Sequence, residues 1–393
     1  MKNRFYVVFL AVLLVVSVNS AYALGELGMG TGGLSKWIHP RLAAIVEYND
    51  NVFLDAAGEK SDTIYRVNAG FGVSVPFSGG QHSAGLDYNI EGSFFSKFDN
   101  QNSANHNLNA SLGLNFPKFY VKANDTLRPT SSRSGTEFTN RIERIENNSG
   151  ITLGSQDWNN MTASVGYSLF YVAYLPDAQK VLNRQDHVVN AALSYQILPK
   201  TRAVVDYSHS FIGYGRTTGR DGDSDQANVG LTGELLAKLS GTVKVGYLDK
   251  RYTGSTQNFK TFVYNGSLSN SFSPQTSVAL SFEKGARESS YSSNNFYSYN
   301  MGTVQLTQAL FFQRLGGTFN FSAQTNDYPK ATTEAGITRN RADMIYSAGA
   351  NFDYGIREGL SAGVGYQYNN RDSNAGSFDY AENSISLKIS ATF

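Results

Sequence analysis

Five histidines could act as the general base of a hydrolase, namely His39, His82, His106, His187 and His209. Such a base needs a nucleophile within hydrogen-bond reach. His209 is flanked by Ser208 and Ser210, but adjacent side chains of an extended strand point to opposite faces, so neither serine can pair with it. His106 and His187 lie near the ends of expected strands, where polar side chains are usually solvated. We therefore predict no catalytic residues and no enzyme activity.

The stretch Asp221-Gly222-Asp223-Ser224-Asp225 spaces three carboxylates like the start of a calcium-binding loop. The turn-forming glycine of such a loop is replaced by Gln226, and its last ligand is replaced by Thr232. Two interpretations remain, a solvated turn or a loose divalent-cation contact with lipopolysaccharide. The chain has no cysteine, which excludes disulfides, thiolate metal sites and haem attachment. We predict no dedicated metal site.

The N-terminal region has the pattern of a targeting segment followed by a linker. Lys2 and Arg4 precede an apolar run over residues 5–16 and the sequence Ala21-Tyr22-Ala23. The run is too short to span a bilayer, so we predict a secretory signal peptide cleaved after Ala23, with a retained anchor as the alternative. The glycine-rich run over residues 28–33 has no flanking strand or helix pattern and no Lys-Ser/Thr ending, which favours a linker over a phosphate-binding loop. We therefore predict no bound cofactor.

The elements that position the remaining residues are expected to be strands. Aromatic residues make up 13% of the chain, and the 38 glycines far outnumber the 8 prolines, so strand and turn formers dominate. A mean hydropathy of −0.31 excludes a helical-bundle membrane protein but fits a membrane barrel, whose strands offer lipid only half of their side chains. The 33 basic and 32 acidic side chains nearly cancel, so we predict no nucleic-acid partner.

The last ten residues, 384–393, alternate apolar and polar side chains at every step. Ile385, Leu387, Ile389 and Phe393 therefore share one face, which suits lipid, while the polar residues share the other. A soluble two-sheet protein alternates in the same way. A strand that ends on a terminal phenylalanine is, however, similar to the C-terminal signal of outer-membrane barrels, so we predict that these four residues form the barrel-insertion signal.

Alternating segments of about ten to fifteen residues recur from residue 41 onward, about eighteen in all. Short connections alternate with longer polar ones such as 52–62, 130–139 and 329–340. This pattern predicts an all-β fold, a transmembrane antiparallel up-and-down β-barrel of about 18 strands. The chain would then comprise a signal peptide (1–23), a flexible periplasmic segment (24–36) and the barrel (37–393). The longest loop, of about twelve residues, is expected to be too short to fold inward as a constriction.

The alternation also predicts which polar side chains face the barrel lumen. The charged members of this set carry both signs, so we expect a polar channel of weak ion selectivity; the alternative for any one residue is that it only solvates the interior. The predicted lumen-lining residues are Glu47, Arg66, Asp87, Glu91, Lys122, Arg144, Glu146, Asp206, Glu234, Lys244, Glu283 and Lys388.

The first strand runs into a loop through the sequence Val46-Glu47-Tyr48-Asn49-Asp50-Asn51-Val52-Phe53-Leu54. Together with the signal peptide, the serial Tyr-ended strands and the terminal phenylalanine, this segment resembles the Putative beta-barrel porin 2 family of Gram-negative outer-membrane proteins. The resemblance implies an outer-membrane barrel with both termini in the periplasm. It also implies an association with exopolysaccharide or capsule export.

Three functions follow as hypotheses: a conduit for polysaccharide export, a passive diffusion porin for small polar solutes, and a barrel enzyme. Because no loop is expected to build the constriction of a diffusion porin and no catalytic cluster is visible in the sequence, export is placed first, the porin second and the enzyme last. The expected partners are outer-membrane lipid, lipopolysaccharide and the barrel-assembly machinery. Periplasmic polysaccharide-export components join them if the export hypothesis holds.

Overall fold

The computed structural model describes residues 37–393 apart from 135–136, 217–218, 256, 291–293, 311–313 and 335. The predicted signal peptide (1–23) and glycine-rich segment (24–36) lie outside the described residues. The described strands are β1 Ile38–Asn49, β2 Asp62–Phe77, β3 His82–Phe95, β4 Ser103–Asn115, β5 Phe119–Thr130, β6 Arg144–Ser155, β7 Met161–Tyr174, β8 Arg184–Leu198, β9 Thr201–Tyr214, β10 Gly222–Leu236, β11 Leu239–Tyr252, β12 Phe259–Ser273, β13 Thr276–Glu288, β14 Phe296–Leu310, β15 Leu315–Glu334, β16 Ile337–Arg357, β17 Leu360–Ser373 and β18 Tyr380–Thr392. Short 3-10 turns in three of the loops span Asp99–Gln101, Asp177–Leu182 and Gly376–Phe378.

Each strand pairs antiparallel with its sequence neighbours, and β18 returns to pair with β1. The closing ladder runs from Asn49 opposite Ser384 to Arg41 opposite Thr392. Closure leaves no free sheet edge whose backbone groups would be unsatisfied in lipid. The predicted 18-strand antiparallel barrel is therefore confirmed. Strands about 4.8 Å apart and tilted by about 40° enclose a backbone cylinder about 35 Å across.

The two rims of the barrel differ in the length of their connections. We call the rim that carries the chain ends the short-turn end, and the opposite rim the long-loop end. At the short-turn end a two-residue turn joins β16 and β17. It uses Gly359, whose φ of +71° favours glycine, and a Cβ there would lie 2.5 Å from the carbonyl oxygen of Thr392. At the long-loop end the connections reach 13 residues, in the loop between β5 and β6.

Two sequence predictions about loops are wrong. The predicted loop 329–340 is a hairpin, because β15 continues to Glu334 and β16 begins at Ile337. Its polar composition suggested a loop, but β-branched residues favour extended pairing, and Thr333 and Thr338 hydrogen-bond across it at 2.7 Å. In the stretch Asp221–Asp225, only Asp221 precedes β10; the rest pairs with β9 and β11.

The outward face of the barrel is apolar. Large exposed side chains on this face include Val46, Ile151, Val189, Val205, Val245, Phe262 and Leu387. Tyrosines join histidines on the same face toward the long-loop end: the hydroxyl of Tyr88 lies 2.8 Å from Nδ1 of His106, and that of Tyr167 lies 2.7 Å from Nδ1 of His187. Amphipathic rings at this level fit a membrane–water boundary. Within the described part of the chain, no helix is long and apolar enough to cross a membrane.

Candidate functional site

The inward face is identified by contacts between strands that are not neighbours in the sheet. Tyr214 on β9 and Tyr252 on β11 both donate hydrogen bonds to Glu288 on β13, at 3.3 and 3.0 Å. Such contacts can form only across the interior. Taken from Tyr214 and Tyr252, the strand register carries this face around the sheet to Glu47 on β1 and to Glu283 on β13. Glu288 itself lies beyond the end of the β12–β13 ladder, where β13 bends inward.

The register places all twelve predicted lumen residues on this inward face. Most of their charges are neutralised by partners along the wall. Arg66 is paired with Glu47, and Arg144 lies 2.6 Å from Glu146. The other ion pairs of the set are Asp87 with Arg41 (2.6 Å), Asp206 with Lys244 (2.6 Å), Glu234 with Lys200 (2.7 Å) and Lys388 with Asp353 (2.9 Å).

Three residues of the set have other contacts. Lys122 lies over the ring of Tyr120, 5.0 Å from its centroid. Glu91 accepts a hydrogen bond from Ser93 Oγ at 3.3 Å. Glu283 accepts one from the hydroxyl of Tyr299. The lumen wall is thus polar and largely charge-paired.

Inward side chains become more buried toward the long-loop end. On β18, the side chain of Lys388 is 37% exposed, whereas that of Glu382, six residues nearer this end, is 8% exposed. On β5, Lys122 is exposed and Thr130 is buried. Something covers the interior at the long-loop end while the short-turn end stays open.

The cover is supplied first by the described residues 131–134 and 137–143 of the loop between β5 and β6, which we call the inward loop. Arg133 of this loop donates to Glu382 on β18 at 2.8 Å and to the carbonyl oxygen of Val52. β18 lies five strands away from β5 around the barrel, so the loop leaves the wall and enters the lumen. The expectation that no loop is long enough to form a constriction is therefore wrong.

A second anchor holds the inward loop on the far side of the lumen. Glu137 accepts hydrogen bonds from Ser289 Oγ, at 2.8 Å, and from the backbone N–H of Ser290. These serines follow β13, eight strands from β5 in an 18-strand ring and thus almost opposite. Burial raises the pKa of Glu137 above its usual value, although the hydrogen bonds from Ser289 and Ser290 act in the other direction.

The β13–β14 hairpin meets the loop because its end bends inward. The β12–β13 ladder stops at Tyr264 opposite Lys284, but the β13–β14 ladder continues to Glu288 opposite Phe296. Freed from β12, the end of β13 places Glu288 against Lys250 as well as the two tyrosines. Arg220, from the loop between β9 and β10, adds hydrogen bonds to backbone carbonyls on both sides of the hairpin tip.

A cavity of about 440 Å³ lies beneath these loops. Ser134 of the inward loop is part of its lining, so the loop forms its roof. Charged and apolar side chains share the wall: Glu146, Arg184, Asp186, Lys250 and Glu283 with Phe170, Val172, Tyr174, Ile212 and Leu248. The interior is a polar passage that narrows at the long-loop end to this mixed chamber.

Sequence reasoning missed the apolar and arginine residues of this chamber. In the run Leu169-Phe170-Tyr171-Val172-Ala173-Tyr174 every side chain is apolar or aromatic, so the alternation that marks faces is absent. Arg184 and Asp186 lie at the start of β8 and form an ion pair at 3.0 Å. Extending the alternation back from Asn190 would have placed both of them inward.

The histidine and the carboxylates considered above as catalytic or metal-binding residues lie outside the lumen. His209 is on the outward face with Nδ1 2.6 Å from Asp225 Oδ1, while Ser208 and Ser210 point inward, so no nucleophile faces this histidine. Asp225 also contacts Arg251 at 2.5 Å, and Asp223 contacts the same guanidinium. The carboxylates of this stretch already have a cationic partner, and the described residues contain no cluster of three metal-ligating side chains.

The predicted insertion signal lies on the outward face of β18. Ile385, Leu387 and Phe393 are exposed, and Ile389 is partly buried against its neighbours. The backbone N–H of Phe393 donates to the carbonyl oxygen of Pro40 at 3.0 Å, so the terminal residue extends the closing ladder with β1. The structure thus places these side chains on the outward face along β18, with Phe393 at the short-turn end.

Comparison with known proteins finds a family model, described as Putative beta-barrel porin 2, that matches residues 25–393. No curated protein sequence matches the chain. Similar solved structures include the outer membrane protein OpdK from Pseudomonas aeruginosa, 12% identical over 91% of this chain and 100% of that chain with a TM-score of 0.47. Another is OccAB3 from Acinetobacter baumannii, 14% identical over 91% of this chain and 99% of that chain with a TM-score of 0.48.

Proposed function

Because the chain belongs to the Putative beta-barrel porin 2 family and is an outer-membrane β-barrel, we propose that it is a passive diffusion channel for small polar solutes. The observation that carries this proposal is the continuous polar inward face, which leads to a chamber of about 440 Å³ under the inward loop. Porins select by size when a loop narrows a wide barrel, because the strands alone leave an aqueous bore.

The same constriction disfavours the polysaccharide-export hypothesis. A polymer would have to thread the mouth, where the inward loop is anchored to β18 on one side and to the β13–β14 hairpin on the other. Small solutes need only pass around it. We therefore rank the diffusion porin above the export conduit, reversing the order that the expected loop lengths favoured.

We further propose that the long-loop end faces the outside of the cell and both termini face the periplasm. The Tyr–His pairs near the long loops would then lie at the lipopolysaccharide level. Outer-membrane lipid, lipopolysaccharide and the barrel-assembly machinery are the proposed partners. We propose no enzyme activity, since the outward position of His209 leaves it without a nucleophile.

Liposome swelling with a series of neutral sugars of increasing size tests the channel function directly. We expect monosaccharides to enter faster than trisaccharides, and planar bilayers that contain the protein to show discrete conductance steps. In a deletion strain, small-solute uptake should fall while surface polysaccharide stays normal. Polymer trapped in the periplasm with unchanged small-solute uptake would favour export instead.

A further inference from the structure

Four arginines cluster at the long-loop end of the lumen: Arg66 on β2, Arg133 and Arg141 in the inward loop, and Arg371 on β17. We call them the mouth arginines. Two of them have carboxylate partners, since Arg66 is paired with Glu47 and Arg133 with Glu382. Among the described residues, no carboxylate forms an ion pair with Arg141 or Arg371.

Arg371 is the more deeply buried of the two unpaired residues. It is only 4% exposed, and neither its Nε nor its Nη1 has a hydrogen-bond partner within the described part of the chain. Its guanidinium lies over the ring of Tyr380, 5.0 Å from the centroid. A buried guanidinium without a carboxylate is costly, because the ring replaces only part of the lost hydration. The site therefore favours an added anion.

Arg141 has a similar environment in the inward loop. Its guanidinium lies 5.0 Å from the centre of the Phe95 ring, and its Nε has no hydrogen-bond partner among the residues that the structure describes. Burial, together with the charges of Arg133 and Arg66, lowers its pKa to about 10. The group is still charged at neutral pH, and an anion among these arginines would relieve their mutual repulsion.

The carboxylates that face the mouth arginines are already engaged. Glu382 accepts from Asn49 and Asn369, at 2.7 and 2.9 Å, besides its ion pair with Arg133. Asp343 is bound by Arg341 at 2.6 Å. Glu91, nearer the short-turn end on β3, is turned toward Ser93. Among the described residues, Arg141 and Arg371 therefore remain without an ion-pair partner of their own.

We propose that the mouth arginines bind the carboxylate or phosphate group of small anionic solutes and make the channel anion-selective. This inference rests on the proposed channel function and specifies its class of solute. The planar guanidinium fork suits an oxyanion because it can donate two parallel hydrogen bonds. Arg371 in the wall and Arg141 in the loop supply these donors from two elements of the mouth.

The test is the reversal potential of the full-length barrel in planar lipid bilayers under a KCl gradient at about 0.1 M salt, where screening is modest. Inorganic phosphate is then added as the probe, with glucose as the neutral comparison. We expect chloride to permeate faster than potassium, and phosphate, unlike glucose, to reduce the chloride current. Arg371→Gln and Arg141→Gln should each lower the chloride-to-potassium permeability ratio about tenfold, because one charge about 5–7 Å from the ion in a water-like medium changes the entry of each ion about threefold, in opposite directions.

Two variants sharpen this test. Arg371→Lys keeps the charge and should keep the preference for chloride, while Arg251→Gln removes an arginine from the outward face and should leave selectivity unchanged. If Arg371→Gln fails to insert, Arg141→Gln still decides, because it changes only a loop. A conducting wild-type barrel without anion preference, or variants with wild-type selectivity, would overturn this inference and leave the channel function standing. A barrel that never conducts would overturn the proposed function itself.

Discussion

Releasing the inward loop from its two anchors is expected to widen the channel. The double variant Arg133→Gln/Glu137→Ala removes both charges and also the acceptor oxygens that Ser289 and Ser290 contact. Hydrogen bonds to charged groups contribute about 1.5–3 kcal/mol each. We count about 2 kcal/mol for the bonds of Glu137 with Ser289 and Ser290, because burial of the carboxylate offsets part of their gain.

The Arg133 anchor is expected to contribute less. Without this arginine, Glu382 keeps its donors Asn49 and Asn369, so the loss is about 1–1.5 kcal/mol. The anchors lie on different sides of the lumen and share no partner, so their effects should add to about 3 kcal/mol. At about 1.4 kcal/mol for each factor of ten, the ratio of docked to undocked loop should fall about 100-fold.

Single-channel recording and liposome swelling measure this change. We expect the double variant to show a larger conductance level that is rare or absent in the wild type, and to admit larger neutral sugars. The matched control is Asp177→Asn/Lys180→Gln, which removes one charge of each sign from an exposed ion pair of the β7–β8 loop. An unchanged conductance and an unchanged size limit in a folded double variant would refute the constriction by this loop.

Three other predictions follow from specific side chains. Because burial holds the pKa of Glu137 above its usual value, docking of the inward loop takes up a proton and strengthens as pH falls from 7 toward 4; the frequency of single-channel closures should vary with pH in the wild type and not in Glu137→Gln. The chain has no cysteine, so a water-soluble thiol reagent should modify Lys388→Cys on the inward face but spare Leu387→Cys in lipid; equal labelling would reverse the assignment of faces. Deleting Phe393 should lower the amount of heat-modifiable folded barrel far more than Phe272→Ala, which truncates another exposed ring; similar losses would reject the insertion signal.

The wall of the barrel could be predicted from sequence because its rules are local. Alternation over residues 384–393 assigns the faces of β18 without knowledge of any other strand. The alternation rule fails in segments that lack either the apolar or the polar side chains of the pattern. Asp221–Asp225 offers no apolar side chain, so it resembled a loop, although Arg251 on the next strand compensates its carboxylates.

The constriction could not be predicted because its contacts join distant parts of the chain. Arg133 and Glu382 are 249 residues apart, and Glu137 and Ser289 are 152 residues apart. Loop length alone set the expectation that no segment would reach across the lumen. That expectation overlooked the inward bend of the β13–β14 hairpin, which meets the loop within the lumen and shortens the distance to be bridged.

The ion selectivity expected of this channel depends on where its charges lie and not only on how many there are. The mixed signs of the predicted lumen residues predicted weak selectivity, and along the wall this balance is real, since pairs such as Lys244 and Asp206 cancel. A permeating ion, however, responds most strongly to charges where water is scarce and screening is weakest. Arg141 and Arg371, which have no ion-pair partner among the described residues, lie at the long-loop end, where the inward loop crosses the lumen. The expected preference for anions is therefore set by those two side chains and not by the net charge of the protein.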